Sequence, residues 1–263
     1  MSSAPTPPPQ TSPSTTPIKA MLLAAGRGER MRPLTDTIPK PLLPVRGKPL
    51  MQWPLEALAR GGCAEVMVNT AWLGEKISDT FHNIFVLQPL SSEREKLSIQ
   101  KQLPLRYSHE GVDFGGALET AGGIARALPQ LGEVFWVLAG DVFAPDFVFD
   151  AEAVARFRAS DHLAHLWLVP NPAHNPRGDF GLANALALND APEKFTYSTI
   201  GLYRAALFAP PWCDVPLGNP LGVKAALAPL LRAAMAQGRV SAELYTGAWT
   251  DVGTPERLLA LNR

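Results

Sequence analysis

The chain has 263 residues, 46% of them hydrophobic and 18% charged, which is ordinary globular composition with enough apolar material for a core. Its 24 basic and 24 acidic residues cancel. No basic field draws in nucleic acid, and a small anionic ligand would have to be held by a few local charges. No apolar run reaches the ~18 residues of a membrane span. Cys63 and Cys213 fit no metal or redox spacing and read as reduced thiols of a cytoplasmic protein. The five histidines show no ligand spacing with carboxylates, and His162 and His165 read as opposite faces of one strand.

In chain order, residues 1–17 are Pro, Ser and Thr with no apolar h-region, and read as a disordered tail before a single domain over 18–263. IKAMLLA, from Ile18, is a buried strand closed by glycines. Leu50–Arg60 is a helix with Met51, Leu55 and Leu58 on one face, and Pro54 is tolerated in its first turn. Glu65–Asn69 is a strand and Leu73–His82 a helix. Residues 86–103 read as an insertion or mobile loop. Leu105–His109 is a strand, Glu119–Leu131 a helix, and Val134–Gly140 the clearest buried strand, running straight into Asp141. A helix follows at Ala151–Ala159, then strands near Leu163–Val169, Gly181–Leu188 and Thr196–Tyr203. Lys224–Gln237 is a helix, short strands flank Tyr245 and Trp249, and a last helix starts at Pro255. Strand and helix alternate over the first 150 residues, which predicts an α/β fold with a mostly parallel central sheet and helices on both faces. The second half is mixed.

The chemistry concentrates in Leu22–Thr35, LLAAGRGERMRPLT. A buried strand ends in Ala24 and Ala25, then Gly26 and Gly28 let backbone N–H groups close around phosphate oxygens. Arg27, Arg30 and Arg32 supply donors that suit phosphate. The loop is not a Walker sequence. It is not a dinucleotide fingerprint either, because Met31 replaces the third glycine and Lys48 and Pro49 stand where an acidic residue is needed. PKPLLPV (Pro39–Val45) follows, with Lys40 held in one direction by its two prolines. Asp141 and Asp251 are carboxylates beside apolar strands, and such groups need a partner or a cation.

These motifs resemble the signature of the sugar-1-phosphate nucleotidylyltransferases: LAAGxGxRMxPLT, then PKPLLPV, ETAGG (Glu119–Gly123), AGD (Ala139–Asp141) and WTDVGT (Trp249–Thr254). Within that family the chain is most similar to the N-acetylmuramic acid 1-phosphate uridylyltransferases of bacterial cell-wall recycling. That likeness rests on GERMRPLT, VNTAWLG (Val68–Gly74), the stretch near Asn171–Leu182 and FTYSTIGLY (Phe195–Tyr203).

The resemblance implies a Rossmann-like nucleotidyltransferase fold with a small mixed β half for the sugar. UTP and a sugar 1-phosphate would be the substrates and pyrophosphate the second product, with Lys40 and Arg30 catalytic. Ala24, Ala25, Gly26, Gly28, Glu29, Lys40, Glu119, Gly122 and Gly123 would hold the nucleotide. Asn69, Asn171, Asp179, Gly181, Lys194 and Thr199, with Glu193 nearby, would lie at the sugar. Asp141 and Asp251 would bind Mg²⁺, which takes carboxylate oxygens together with substrate phosphates. The carboxylate of a muramic acid would need a cationic partner, with Arg177 or Lys194 the expected candidates. Two residues depart from the pattern: Ala139 stands where a polar residue is expected, and Thr199 where Gly is common. The competing readings are an enzyme for glucose or mannose 1-phosphate, or a catalytically silent sugar-nucleotide-binding relative. A silent relative would be expected to lose one of Lys40, Arg30, Asp141 or Asp251, and all four are present.

Overall fold

A computed structural model of the chain describes residues 16–88 and 101–263. The first half runs β1 (Lys19–Ala24), β2 (Pro44–Val45), β3 (Lys48–Pro49), α1 (Gln52–Arg60), β4 (Val66–Thr70), α2 (Gly74–Phe81), β5 (Ile84–Val86), β6 (Gln102–His109), α3 (Glu110–Phe114), α4 (Glu119–Leu131) and β7 (Val134–Ala139). The second half adds β8 (Val142–Phe143), α5 (Ala151–Ala159), β9 (Ala164–Val169), β10 (Gly181–Ala183), β11 (Leu186–Leu188), β12 (Thr196–Arg204), α6 (Leu227–Met235), β13 (Val240–Leu244), β14 (Thr250–Asp251) and α7 (Pro255–Leu261).

Among the described residues ten strands form one sheet, in the order β10-β11-β13-β9-β12-β7-β1-β4-β6-β5. β7, β1, β4 and β6 run parallel. β12 joins β7 antiparallel and opens the mixed half. Alternation along the strands feeds two cores, because successive side chains point to opposite faces. Ala20, Leu22, Trp136 and Leu138 face one core with Leu55 and Leu58 of α1 and Phe157 of α5. Met21, Phe135 and Val137 face the other, with Ile124 and Leu128 of α4 and Leu231 of α6. Helices therefore cover both faces. The chain leaves β1 through α1 toward β4 on one side, and returns through α4 to β7 on the other. That reversal opens a crevice at the carboxyl ends of β1 and β7, where open α/β sheets bind ligands.

Several boundaries differ from the sequence expectation. Gly181–Leu188 is a hairpin, not one strand: Asn184 and Ala185 turn between β10 and β11 with φ of 50° and 59°. α6 begins at Leu227 and ends at Met235, inside the expected Lys224–Gln237. The ends of the 86–103 stretch are paired strand, with Val86 opposite Gln102, while residues 89–100 lie outside the described residues. β5 and α3 had no periodic signal, being three and five residues long. His165 is in β9 but His162 precedes it. The tail reading falls on residues 1–15, outside the described residues, except that the Thr16 carbonyl accepts from Arg158 at 2.7 Å. No helix among the described residues is long and apolar enough to cross a membrane.

Candidate active site

The turn after β1 is built around Gly28, whose φ is +69°. A Cβ there would stand 3.0 Å from Thr35 Cγ2 and 3.4 Å from the Lys40 Cβ, so the glycine lets the Lys40 segment come close. The Thr35 hydroxyl donates to the Gly28 carbonyl at 2.9 Å and fixes the turn. Two of the three nearby arginines are not free for a phosphate. Arg27 lies 3.8 Å over the Trp72 ring and donates to the Thr35 carbonyl and to Asp36, both at 2.9 Å. Arg32 donates to the same Asp36 carboxylate at 2.8 Å. Hydrogen bonding from Arg27, joined by Arg32, holds the Asp36 carboxyl below the usual carboxylate range. This corrects the expectation for Arg27 and Arg32. Arg30 is exposed and makes no ion pair among the described residues.

Lys40 opens a 3-10 turn between Pro39 and Pro41 and is only 9% exposed. Its Nζ donates to Oδ2 of Asp141, which follows β7 and Gly140. β14 pairs with β8, placing Asp251 opposite Val142, and the Val252 N–H donates to the Asp141 carbonyl at 2.8 Å. Two carboxylates distant in sequence thus sit on neighbouring segments. Asp251 accepts from Arg257 Nη1 and lies 2.9 Å from His174 Nε2. Each carboxylate already carries a cationic or ring-nitrogen partner, and both offer hard oxygen donors. No cluster of three or more His, Cys, Asp or Glu able to hold a metal occurs among the described residues. Hard oxygen donors of this kind are what a divalent cation takes together with substrate phosphate.

Asn69 ties the β1 turn to α4. Its Oδ1 accepts from the Ala24 N–H at 2.9 Å and its Nδ2 donates to Glu110 Oε1 at 2.8 Å. Glu110 Oε2 accepts from the Leu118 N–H at 2.8 Å, just before α4 begins. Burial pushes the Glu110 carboxyl up, while the Leu118 N–H and Asn69 act against it. Gly122 and Gly123 stand in packing seams: a Cβ on Gly123 would lie 2.6 Å from Glu110 Oε1, and one on Gly122 2.5 Å from the Val223 carbonyl. The first-turn amides of Ala121 and Gly122 already donate to the Ala225 carbonyl. Glu119, at φ +60°, and Thr120 face the open space instead.

These elements enclose a cavity of about 750 Å³. Of the expected site residues, Ala24, Ala25, Gly26, Gly28, Lys40, Asn69, Glu119, Asp141, Asp179 and Thr199 form its wall, and so does Ala139. At the mixed-sheet end Asp179 accepts from the Tyr197 N–H at 2.8 Å. The Tyr197 and Tyr203 hydroxyls meet at 2.6 Å, and burial pushes both phenols up. Thr199 lies where β12 shifts register against β9, with φ +65° and a buried Oγ1 that has no partner among the described residues. The others are off the wall. Asn171 accepts from Thr196 and donates to the Lys194 carbonyl, and the Lys194 ammonium is turned to the Asn189 carbonyl at 2.8 Å. Gly181 packs against Ala191, and Glu29 and Glu193 are exposed. Arg30, Gly122, Gly123 and Asp251 are not wall residues either.

Sequence reasoning missed Glu110, Tyr197 and Arg232, all in the wall, and the His174 contact to Asp251. Tyr197 lay inside a motif whose alternation marks it as facing away from Ser198. The other three carried no local signal, because their partners come from distant elements.

Residues 19–263 match the nucleotidyl transferase family. The chain is 44% identical to an N-acetylmuramate alpha-1-phosphate uridylyltransferase from Neisseria meningitidis, over 92% of this chain and 95% of the relative. It is 29% identical to mannose-1-phosphate guanyltransferase beta-A of Xenopus laevis, over 92% of this chain and 63% of that one. Among solved structures, a Bacillus anthracis chain assigned as a glucose-1-phosphate thymidylyltransferase, in complex with a sucrose, superposes with a TM-score of 0.71. That pair covers 93% and 94% of the two chains at 18% identity, and it bears on the fold alone.

Proposed function

The chain belongs to the nucleotidyl transferase family, and from that premise we propose that it transfers the uridylyl group of UTP to N-acetylmuramic acid 1-phosphate, releasing pyrophosphate. The observation that carries the substrate assignment is the likeness, over nearly the whole of both chains, to the meningococcal uridylyltransferase. The cavity at the β1–β7 reversal, with a glycine turn and Lys40 at one end and the mixed sheet at the other, supports the reaction class.

In this reading an oxygen of the sugar phosphate attacks the α-phosphorus of UTP, the bond to the β-phosphate oxygen breaks, and pyrophosphate leaves with that electron pair. A phosphate monoester has a second pKa near ~6, so the nucleophile is ionised at neutral pH and no general base is required. The work left to the protein is alignment and charge neutralisation. The turn at Ala24–Gly28 receives the phosphates, and Glu119 and Thr120 border the nucleoside. Lys40 donates to phosphate as charge builds, and Arg30, without an ion pair among the described residues, reaches the leaving β- and γ-phosphates. Asp179 and Thr199 orient the sugar. Asp141 and Asp251 would hold the divalent cation used by this family, Mg²⁺ in our reading, and it would supply charge neutralisation at the α-phosphate. Residues 18–263 act as one unit in this scheme, in a cytoplasm that keeps Cys63 and Cys213 as the free thiols they are.

Pyrophosphate release across a grid of nucleoside triphosphates and sugar 1-phosphates tests the proposal. UTP with N-acetylmuramic acid 1-phosphate should give the highest kcat/KM. Equal or better use of glucose or mannose 1-phosphate would reject the muramic acid assignment and leave the reaction class standing.

A further inference from the structure

Among the described residues the cavity wall carries two cationic side chains, Lys40 and Arg232. Lys40 is committed to Asp141 at the phosphate end. Arg232 belongs to α6, whose Leu227, Ala228, Leu231 and Arg232 share the wall at helical i, i+4 spacing. Its guanidinium carbon lies 5.2 Å from the Phe180 ring centroid, at the mixed-sheet end of the wall. It makes no ion pair among the described residues, although it stands on a rigid element. The Arg232 carbonyl accepts from Asn189 at 2.9 Å, which fastens α6 to the β10–β11 hairpin region.

The remaining charged wall residues are acidic, and three of the four are held by other partners. Glu110 accepts from Asn69 and the Leu118 N–H, Asp179 accepts from the Tyr197 N–H, and Asp141 accepts from Lys40. Glu119 stands at the start of α4, where Leu118 and Ala121 bond to Ala225 just ahead of α6, and it makes no ion pair among the described residues. A neutral sugar offers a free guanidinium at this place only uncharged oxygen acceptors. A carboxylate matches its planar donor fork in a bidentate pair.

We infer that Arg232 recognises a carboxylate on the sugar and so sets the enzyme's preference for an acidic sugar 1-phosphate. The inference rests on the proposed substrate, whose lactyl ether carries a carboxylate that N-acetylglucosamine, glucose and mannose lack. It also replaces the two cations expected from sequence. Lys194 is turned to Asn189 and Asp190, and Arg177 is not in the wall. Phe180 flanks the guanidinium and limits the directions it can take, which favours one pairing geometry over a diffuse charge effect.

The test is the ratio of kcat/KM for N-acetylmuramic acid 1-phosphate to that for N-acetylglucosamine 1-phosphate, with UTP saturating, in the wild type, Arg232→Gln and Arg232→Lys. The wild type should prefer the acidic sugar by at least about tenfold. Arg232→Gln should remove most of that preference through a higher KM for the acidic substrate, and Arg232→Lys should restore part of it. A melting curve shows that each variant is folded, which the exposed position of Arg232 favours. A preference unchanged within about twofold in Arg232→Gln overturns the inference while leaving the proposed substrate intact. A wild type with no preference for the acidic sugar overturns both.

Discussion

The Nζ of Lys40 donates to Oδ2 of Asp141, 101 residues further along the chain. The pair joins the PKP turn after β1 to the segment after β7, across the sheet reversal. In the proposed reaction this contact gives way as substrate phosphates arrive, with Lys40 turning to phosphate and Asp141 to the divalent cation.

Lys40→Ala should reduce turnover by about 10²–10³, the usual loss for one transition-state donor. The fold should survive, because the Asp141 side chain keeps 36% of its exposure and water can replace the missing partner. Steady-state pyrophosphate release together with a thermal melt checks this. Near-wild-type activity would remove Lys40 from the chemistry.

Asp141→Asn and Asp251→Asn should each raise the divalent cation concentration needed for half-maximal rate, since each removes one charge from the shared site. Chelation by EDTA should abolish wild-type activity, and added Mg²⁺ should restore it. Asp251→Asn also loosens the contacts with Arg257 and His174, so its melting temperature should fall more than that of Asp141→Asn. Wild-type turnover that persists in chelator would show the metal assignment to be wrong.

Thr199→Gly should stabilise the protein and weaken sugar binding. A β-branched residue at φ +65° carries strain of ~1–2 kcal/mol, and its buried hydroxyl has no partner among the described residues. Glycine removes both costs, against ~0.5–1 kcal/mol of added chain entropy in the unfolded state. The expected result is a melting temperature higher by about 2–4 °C per kcal/mol gained. The KM for the sugar phosphate should rise about threefold to tenfold, because the Thr199 side chain shapes the sugar end of the wall. A lower melting temperature would mean that Thr199 is not strained. An unchanged KM would mean that the Thr199 side chain does not shape the sugar site.

Much of the architecture can be read locally. The bounds of α4 and α5 and the start of α7 agree with those expected from apolar periodicity and punctuation by Pro, Gly and Asp. The glycine turn, Lys40 and Asp141 also follow from short-range pattern, because the backbone needs at Gly28 and between Pro39 and Pro41 are met by the residues themselves. The order of the motifs was enough to indicate the reaction class.

What tertiary structure decided is which side chains find each other. Arg27, Arg30 and Arg32 look equivalent in sequence, yet Asp36 engages two of them and leaves Arg30 free. The family resemblance puts Gly122 and Gly123 at the nucleotide, and only the tertiary structure shows that Val223 and Glu110 close in on them. Asn69 meets Glu110, 41 residues away, only because β4 and β6 are neighbours in the sheet. His174 meets Asp251, and Arg232 enters the cavity wall, through strand order that no window of local sequence encodes. Periods of 2 and 3.6 residues specify elements and faces, whereas ion pairs and close approaches depend on which elements the sheet sets side by side.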